Sequence, residues 1–318
     1  MSGSTGRTTP FFVVGAPRSG TTLTRLMLDS HPRLAIPPES HFIVRLAYRR
    51  LRLMHRPELA LERILAHTRF RAWDLDPDDA RAFVTRARAA SYPDVVRAVF
   101  DAYASAYGKP RWGDKTPGYV HFLPELAQLF PDAQFIHVVR DGREVAVSVS
   151  ERDWWPGSPV SAAFWWRRYV RVGREAGTRL GPDRYLELRL ERLIADPQAE
   201  LGSVCAFLGE SYDPAMLAYP TRSRGRMGLS SAEPLPPHLS HIAEPPTARL
   251  RSWSDGLPSS VAAQVEAACW PMLQQLGYDT RRPAVALRLA ARSRWLADLP
   301  PRVRLFLSDQ RHPQRADT

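Results

Sequence analysis

The sequence predicts an α/β protein: a three-layer fold whose mostly parallel central sheet carries helices on both faces. Three observations carry this prediction. Short apolar, β-branched runs recur along the chain with helical patterns between them. Two of those runs, residues 11–14 and 134–139, pass through a small turn directly into an apolar helix, as alternating strand–helix units do. The chain, at 318 residues, is long enough to bury a sizeable core.

The elements follow in order. Residues 11–14 form the first strand and 21–30 its helix. Helical patterns at 40–54, 58–67, 77–89 and 93–107 then build an arginine-rich block, about 45–108, read as a helical insertion capping the substrate site. A short strand near 111–113 precedes a helix at 119–129. The strand at 134–139 runs into a helix at 142–151. A long helix, 160–178, leads to a strand at 184–188 and a helix at 197–208. Residues 218–258 are rich in Pro, Ser and Gly and read as a lid-like loop. A helix at 259–276 closes a single domain expected over 1–282, and 283–318 is a basic amphipathic extension. Sheets of this kind bind ligands beyond the C-terminal ends of their strands.

The first such end is the run FFVVGAPRSGTT, residues 11–22. Its turn amides and the following helix N-terminus converge on one anion. The fold is P-loop-like here: Gly15 and Gly20 have the spacing of G-x-x-x-x-G-K-[ST], but Thr21 stands where the lysine belongs and Arg18 lies inside the loop. Such a loop holds a phosphate but is poorly equipped for a triphosphate with its metal. PRSGTT resembles the loop of PAPS-dependent sulfotransferases (PAPS is 3′-phosphoadenosine-5′-phosphosulfate). The resemblance implies that Arg18, Ser19, Gly20, Thr21 and Thr22 hold the donor's 5′-phosphosulfate, with PAPS as co-substrate and no metal expected.

A second anion site is expected at residues 134–155. Arg140 falls at a strand's C-terminal end, Asp141 caps the next helix, and Ser148 lies two turns along it. Arg152 is four residues further, on the same face. A guanidinium and a hydroxyl suit a dianionic phosphate. Sulfotransferases bind the donor's 3′-phosphate with an arginine and a serine at this spacing, so the resemblance assigns that role to Arg140 and Ser148, with Arg152 beside them.

The reacting centre is read from the same resemblance, here to tyrosylprotein sulfotransferases and related bacterial enzymes. They carry PRSGTT, then D-x-H-P, here Asp29 to Pro32, and then a catalytic glutamate, here Glu39. His41 is the rival base. Lys115, in the run KTP, matches a lysine that reaches the sulfuryl group or bridging oxygen, and Arg18 is expected to help stabilise the transferring group. The resemblance covers most of residues 10–280. It departs where relatives carry Y-E-D-L: this chain has Leu190, Glu191, Arg192 and Leu193, so a tyrosine near the adenine is missing. Arg249 and Arg251 are further candidates for the 3′-phosphate.

The remaining features bound the partners. The formal charge is +11, carried mostly by arginine, and helps attract a polyanionic donor. Two cysteines, Cys205 and Cys269, make no disulfide framework, and the start of the chain lacks a signal-peptide core, so a cytoplasmic location is expected. The motifs of zinc proteases, α/β-hydrolases and dinucleotide-binding folds are missing. The expected acceptor is a small-molecule or lipid-linked hydroxyl, with no nucleic acid bound. Apolar residues alternating with arginines over 282–311 suggest peripheral membrane contact. Two alternatives stand beside the sulfotransferase reading: a P-loop kinase of a small metabolite, and a non-catalytic nucleotide or nucleic-acid binder.

Overall fold

The computed structural model describes residues 9–49, 53–220, 253 and 255–298. Among these, β1 (Phe11–Gly15), β2 (Leu34–Ala35), β3 (Arg111–Lys115), β4 (Gln134–Val139) and β5 (Tyr185–Arg189) form one sheet. Its order is β2-β3-β1-β4-β5, and every pairing is parallel. The central strand is buried along its whole length. Its side chains alternate between two cores: Phe12 and Val14 face one, Phe11 and Val13 the other. That alternation is the period-two geometry of a strand covered on both sides.

One face is covered by α2 (Phe42–Arg49), α3 (Pro57–Leu65), α4 (Thr68–Arg71), α5 (Pro77–Arg86), α6 (Tyr92–Ala106) and α7 (Leu123–Leu129). Aromatic rings carry this layer down to the sheet: Trp73 lies 4.6 Å from Phe100, and Phe100 lies 4.5 Å from Trp112 on β3. The helical block predicted as a cap therefore also supplies one wall of the core. The other face is covered by α1 (Thr21–Asp29), α10 (Leu190–Ala195) and α11 (Pro197–Leu208). A third cluster joins α8 (Gly142–Ser150), α9 (Pro159–Leu180), α12 (Ser259–Gln275) and α13 (Val285–Ala297).

The chain departs from its sequence pattern at four places. β2 is only two residues long and leaves no periodic trace. β3 continues to Lys115, because Val13 pairs with Lys115 and carries two charged residues into the ladder. α2 begins at Phe42 rather than residue 40, because His41 sits at φ 50°, outside helical geometry. α8 ends at Ser150, so Arg152 lies in the turn beyond it. Most of the expected lid at 218–258, together with Arg249 and Arg251, lies outside the described residues, as do 299–318 of the C-terminal extension. Among the described residues, no helix is long and apolar enough to cross a membrane.

Candidate active site

The chain places β2 and β3 on one side of β1, and β4 and β5 on the other. The crevice at the C-terminal ends of β1 and β4 is thus a topological switch point, where open parallel sheets take their ligands. The loop after β1, Lys115 at the end of β3 and Arg140 just past β4 all meet there.

The loop is a tight turn in strained geometry. The Ser19 amide donates to Ala16 O at 3.1 Å. Arg18 has φ 71° and Gly20 φ 92°, both left-handed. A Cβ at Gly20 would lie 2.4 Å from Leu190 Cδ1, so position 20 has neither the backbone freedom nor the room for a side chain. Among the described residues, α1 starts there without a side-chain cap, and the buried Ser19 hydroxyl has no hydrogen-bond partner. Buried, uncapped helix N–H groups together with an unmatched hydroxyl fit an anion.

Beside this loop the structure brings Arg18, Arg140, Ser148 and Arg152 together. Arg18 Nε donates to Ser148 Oγ at 3.1 Å, and Arg152 Nε donates to Ser148 O at 3.1 Å. Arg140 Nη1 donates to Arg18 O at 3.2 Å, and its Nη2 lies 3.4 Å from Glu144 Oε2. Among the described residues, buried Arg140 Nε has no partner. Burial depresses the Arg18 pKa, and the positive charges of Arg152 and Arg140 depress it further. Three guanidiniums with one unmatched donor around a serine fit a dianionic phosphate. The Arg18 side chain is directed to this phosphate end, where its hydrogen bond to Ser148 ties the two anion sites together.

The other end of the cluster is built around Lys115. Its Nζ donates to Thr22 Oγ1 at 3.3 Å and makes an ion pair with Glu39. His41 Nε2 lies 2.8 Å from the other oxygen, Glu39 Oε2. Burial alone would raise the Glu39 pKa, but the Lys115 ammonium and His41 outweigh it and hold the carboxyl well below the usual range. Glu39 is thus a carboxylate, acceptor-only, and His41 Nε2 donates to it. The Lys115 side chain is 4% exposed and the Glu39 side chain 28%, so of this pair it is the carboxylate that reaches the surface.

Beneath the pair lies a polar layer that the motifs did not announce. Asp114 is fully buried. Burial pushes its pKa up to about 6, against the pull of the Ser40 and Thr116 hydroxyls and His41. Ser40 Oγ lies 3.1 Å from Tyr119 Oη, and Tyr119 Oη accepts from Ile43 N at 2.9 Å. This network fixes the segment carrying Glu39 and His41 against β3.

Two further residues position these groups. Glu191 accepts from the Asp141 amide at 2.7 Å and from Tyr278 Oη at 3.1 Å, tying the ends of β4 and β5 to the chain beyond α12. Glu144 holds Arg140 in place. The available signals were the i, i+4 spacing of Arg140 and Glu144, and the position of Glu191 where relatives carry an acidic residue after their tyrosine. Trp253 stacks under the Arg143 guanidinium at 5.2 Å. Among the described residues, no group of three or more His, Cys, Asp or Glu is placed to hold a metal ion.

The chain belongs to the sulfotransferase family, whose family model matches residues 10–214. Protein-tyrosine sulfotransferase A of Caenorhabditis elegans is 26% identical over 286 residues, covering 86% of this chain and 68% of that protein. Nodulation protein NoeE of Sinorhizobium fredii is 30% identical over 229 residues, covering 65% of this chain and 51% of NoeE. The solved sulfotransferase domain of the Synechococcus PCC 7002 olefin synthase superposes with a TM-score of 0.61 at 25% identity, over 86% of this chain and 97% of that domain. The family and the parallel-sheet architecture expected from the sequence are thus borne out. The kinase and non-catalytic alternatives find no support in these similarities.

Proposed function

We propose that the protein transfers a sulfuryl group from PAPS to an alcohol or phenol hydroxyl. PAPS supplies the activated sulfuryl group, and the chain's own residues bind, orient and neutralise. The amides of residues 19–22 and the α1 N-terminus take the 5′-phosphosulfate end. Arg140 and Ser148, with Arg18 and Arg152, take the 3′-phosphate. Glu39 receives the acceptor proton as the acceptor oxygen bonds to sulfur, and His41 holds the carboxylate in its orientation. Lys115 stabilises the charge gathering on the oxygen that leaves sulfur, working from the Thr22 side of the loop.

The observation that carries this reading is the Lys115 ammonium set between Thr22 of the phosphate loop and Glu39. It puts a cation and a base at one end of a two-anion cradle, which is what in-line sulfuryl transfer asks of its site. A cytoplasmic setting is part of the proposal and is supported by the two free, buried cysteines, Cys205 and Cys269. The test is incubation with radiolabelled PAPS and a panel of phenols, sugars and lipid alcohols. Label should pass to at least one hydroxyl class in the wild type, and Glu39→Gln should slow the transfer by about 100- to 10,000-fold. No transfer to any hydroxyl, with label released only to water, would overturn the reading.

A further inference from the structure

We propose that α13 and the arginine-lined cleft beside it form a docking face for an anionic lipid bilayer. The inference is independent of the sulfuryl-transfer reading, since none of its residues belongs to the candidate active site.

Among the described residues, the helix buries one face and leaves a second apolar face open. Leu287 and Ala291 pack into the core shared with α9 and α12, and the Trp295 ring lies 5.5 Å from Phe164 on α9. The C-terminal end is fixed too: Ser158 donates its amide to Asp298 at 3.0 Å and its hydroxyl at 2.5 Å. α13 is therefore part of the fold. Val285, Leu289 and Leu296 nevertheless stand 61%, 56% and 53% exposed. They fall at i, i+4 and i+11, one stripe of a helix, and exposed Arg292, at i+7, stands in the same stripe. A single exposed leucine is ordinary. Aligned aliphatics on a helix whose opposite face is already buried mark an interaction surface.

The cleft adjoins this stripe. It encloses about 1310 Å³ between α9, α12 and α13, with Leu296 and Arg292 among its lining residues. Among the described residues, five arginines line it against two acids, Glu175 and Glu187. Both acids have arginine partners: Arg171 lies 3.8 Å from Glu175, and Arg174 lies 3.0 Å from Glu187. Arg167, Arg168 and Arg292 are left to add positive charge. Arg167 stacks on the Phe164 ring at 4.7 Å and donates to Ala268 O at 3.0 Å. Burial depresses its pKa, and the like charges of Arg292 and Arg171 add to the effect. Guanidiniums gathered in one cleft repel one another, and an anion such as a lipid phosphodiester relieves that repulsion.

Charge and shape choose the occupant. A second copy brings the same basic face on a chain of net charge +11, so the two would repel. A soluble anion would fill the cleft and leave the aliphatic stripe in water. A bilayer with anionic headgroups satisfies both, the stripe entering the acyl boundary while the arginines hold headgroup phosphates.

The test is flotation of the full chain with vesicles of phosphatidylcholine alone and of phosphatidylcholine mixed with phosphatidylglycerol, at low and high salt. The wild type should float with the mixed vesicles, weakly with phosphatidylcholine, and less as salt rises. Leu289→Asp with Leu296→Asp should weaken binding by about tenfold or more. Arg168→Glu with Arg292→Glu should weaken it by about tenfold or more and flatten its salt dependence. All four positions are exposed or intermediate, so thermal midpoints should match the wild type and separate lost docking from lost folding. Absence of flotation by the wild type, equal flotation by the variants, or a solution dimer broken by the leucine substitutions without any lipid binding would overturn the proposal.

Discussion

Lys115 is paired with Glu39, and the same ammonium donates to the Thr22 hydroxyl at 3.3 Å. The end of β3 and the start of α1 therefore share one cation, and the carboxylate is held at the mouth of the phosphate loop. Lys115 keeps Glu39 ionised, and under the proposed function it would stand beside the donor's 5′-phosphosulfate.

Lys115→Met should lower kcat/KM by about 100- to 1,000-fold, as removal of a preorganised donor to developing charge does. Glu39→Gln should lower kcat by about 100- to 10,000-fold, the span of a lost general base, while binding of adenosine 3′,5′-bisphosphate persists. His41→Ala removes one of the two contacts that hold Glu39 low, so the carboxyl pKa rises towards its ordinary value. In the wild type, lowering the pH to the ordinary glutamate range should produce no loss of kcat/KM from Glu39. In His41→Ala that acid limb should move upward, and a pH–rate profile reads the difference. Full turnover by Glu39→Gln would hand the base to His41.

Arg140→Ala and Ser148→Ala should act mainly on the 3′-phosphate. Each removes a contact to a charged group, a loss of roughly 10- to 100-fold in affinity for adenosine 3′,5′-bisphosphate. Affinity for adenosine 5′-phosphate, which lacks the 3′ group, should change far less. The ratio of the two dissociation constants is the readout, and an unchanged ratio would move the 3′ site elsewhere.

Much of this site was legible in the sequence because backbone chemistry writes it locally. A strand, a small-residue turn and a helix in succession define a phosphate cradle within 12 residues. The Arg140–Ser148 spacing is fixed by one cap and two helical turns. What the sequence did not carry were relationships across the sheet. The bond from Arg18 to Ser148 joins residues 130 apart, and the Lys115–Glu39 pair joins residues 76 apart. Neither has a local periodic signature. β2 was too short to be read, and β3 ran two residues further than its apolar pattern because pairing with β1 holds Asp114 and Lys115 in the ladder. Leu190, noted only for a missing tyrosine, proves to be the side chain that excludes a Cβ at Gly20.

Asp114 should leave a mark on stability. The folded protein keeps its proton up to about pH 6, whereas the unfolded chain releases it near 3.8. Between those values the folded state binds more protons, so stability falls as pH rises through this window, by about 3 kcal/mol, and stays lower above it. Asp114→Asn removes the titration. Chemical denaturation across pH 4 to 8 should show the variant gaining on the wild type as pH rises, and parallel curves would show that Asp114 does not titrate in this window.

Under the proposed function, the two anion sites flanking Arg18 hold the two ends of one bisphosphorylated donor. Calorimetric titration of the wild type with adenosine 3′,5′-bisphosphate and with ATP, each with and without magnesium, tests it most directly. The bisphosphate should bind tightly whether or not magnesium is present, and ATP should bind weakly in both conditions. Magnesium-dependent binding of ATP with no binding of the bisphosphate would contradict the account.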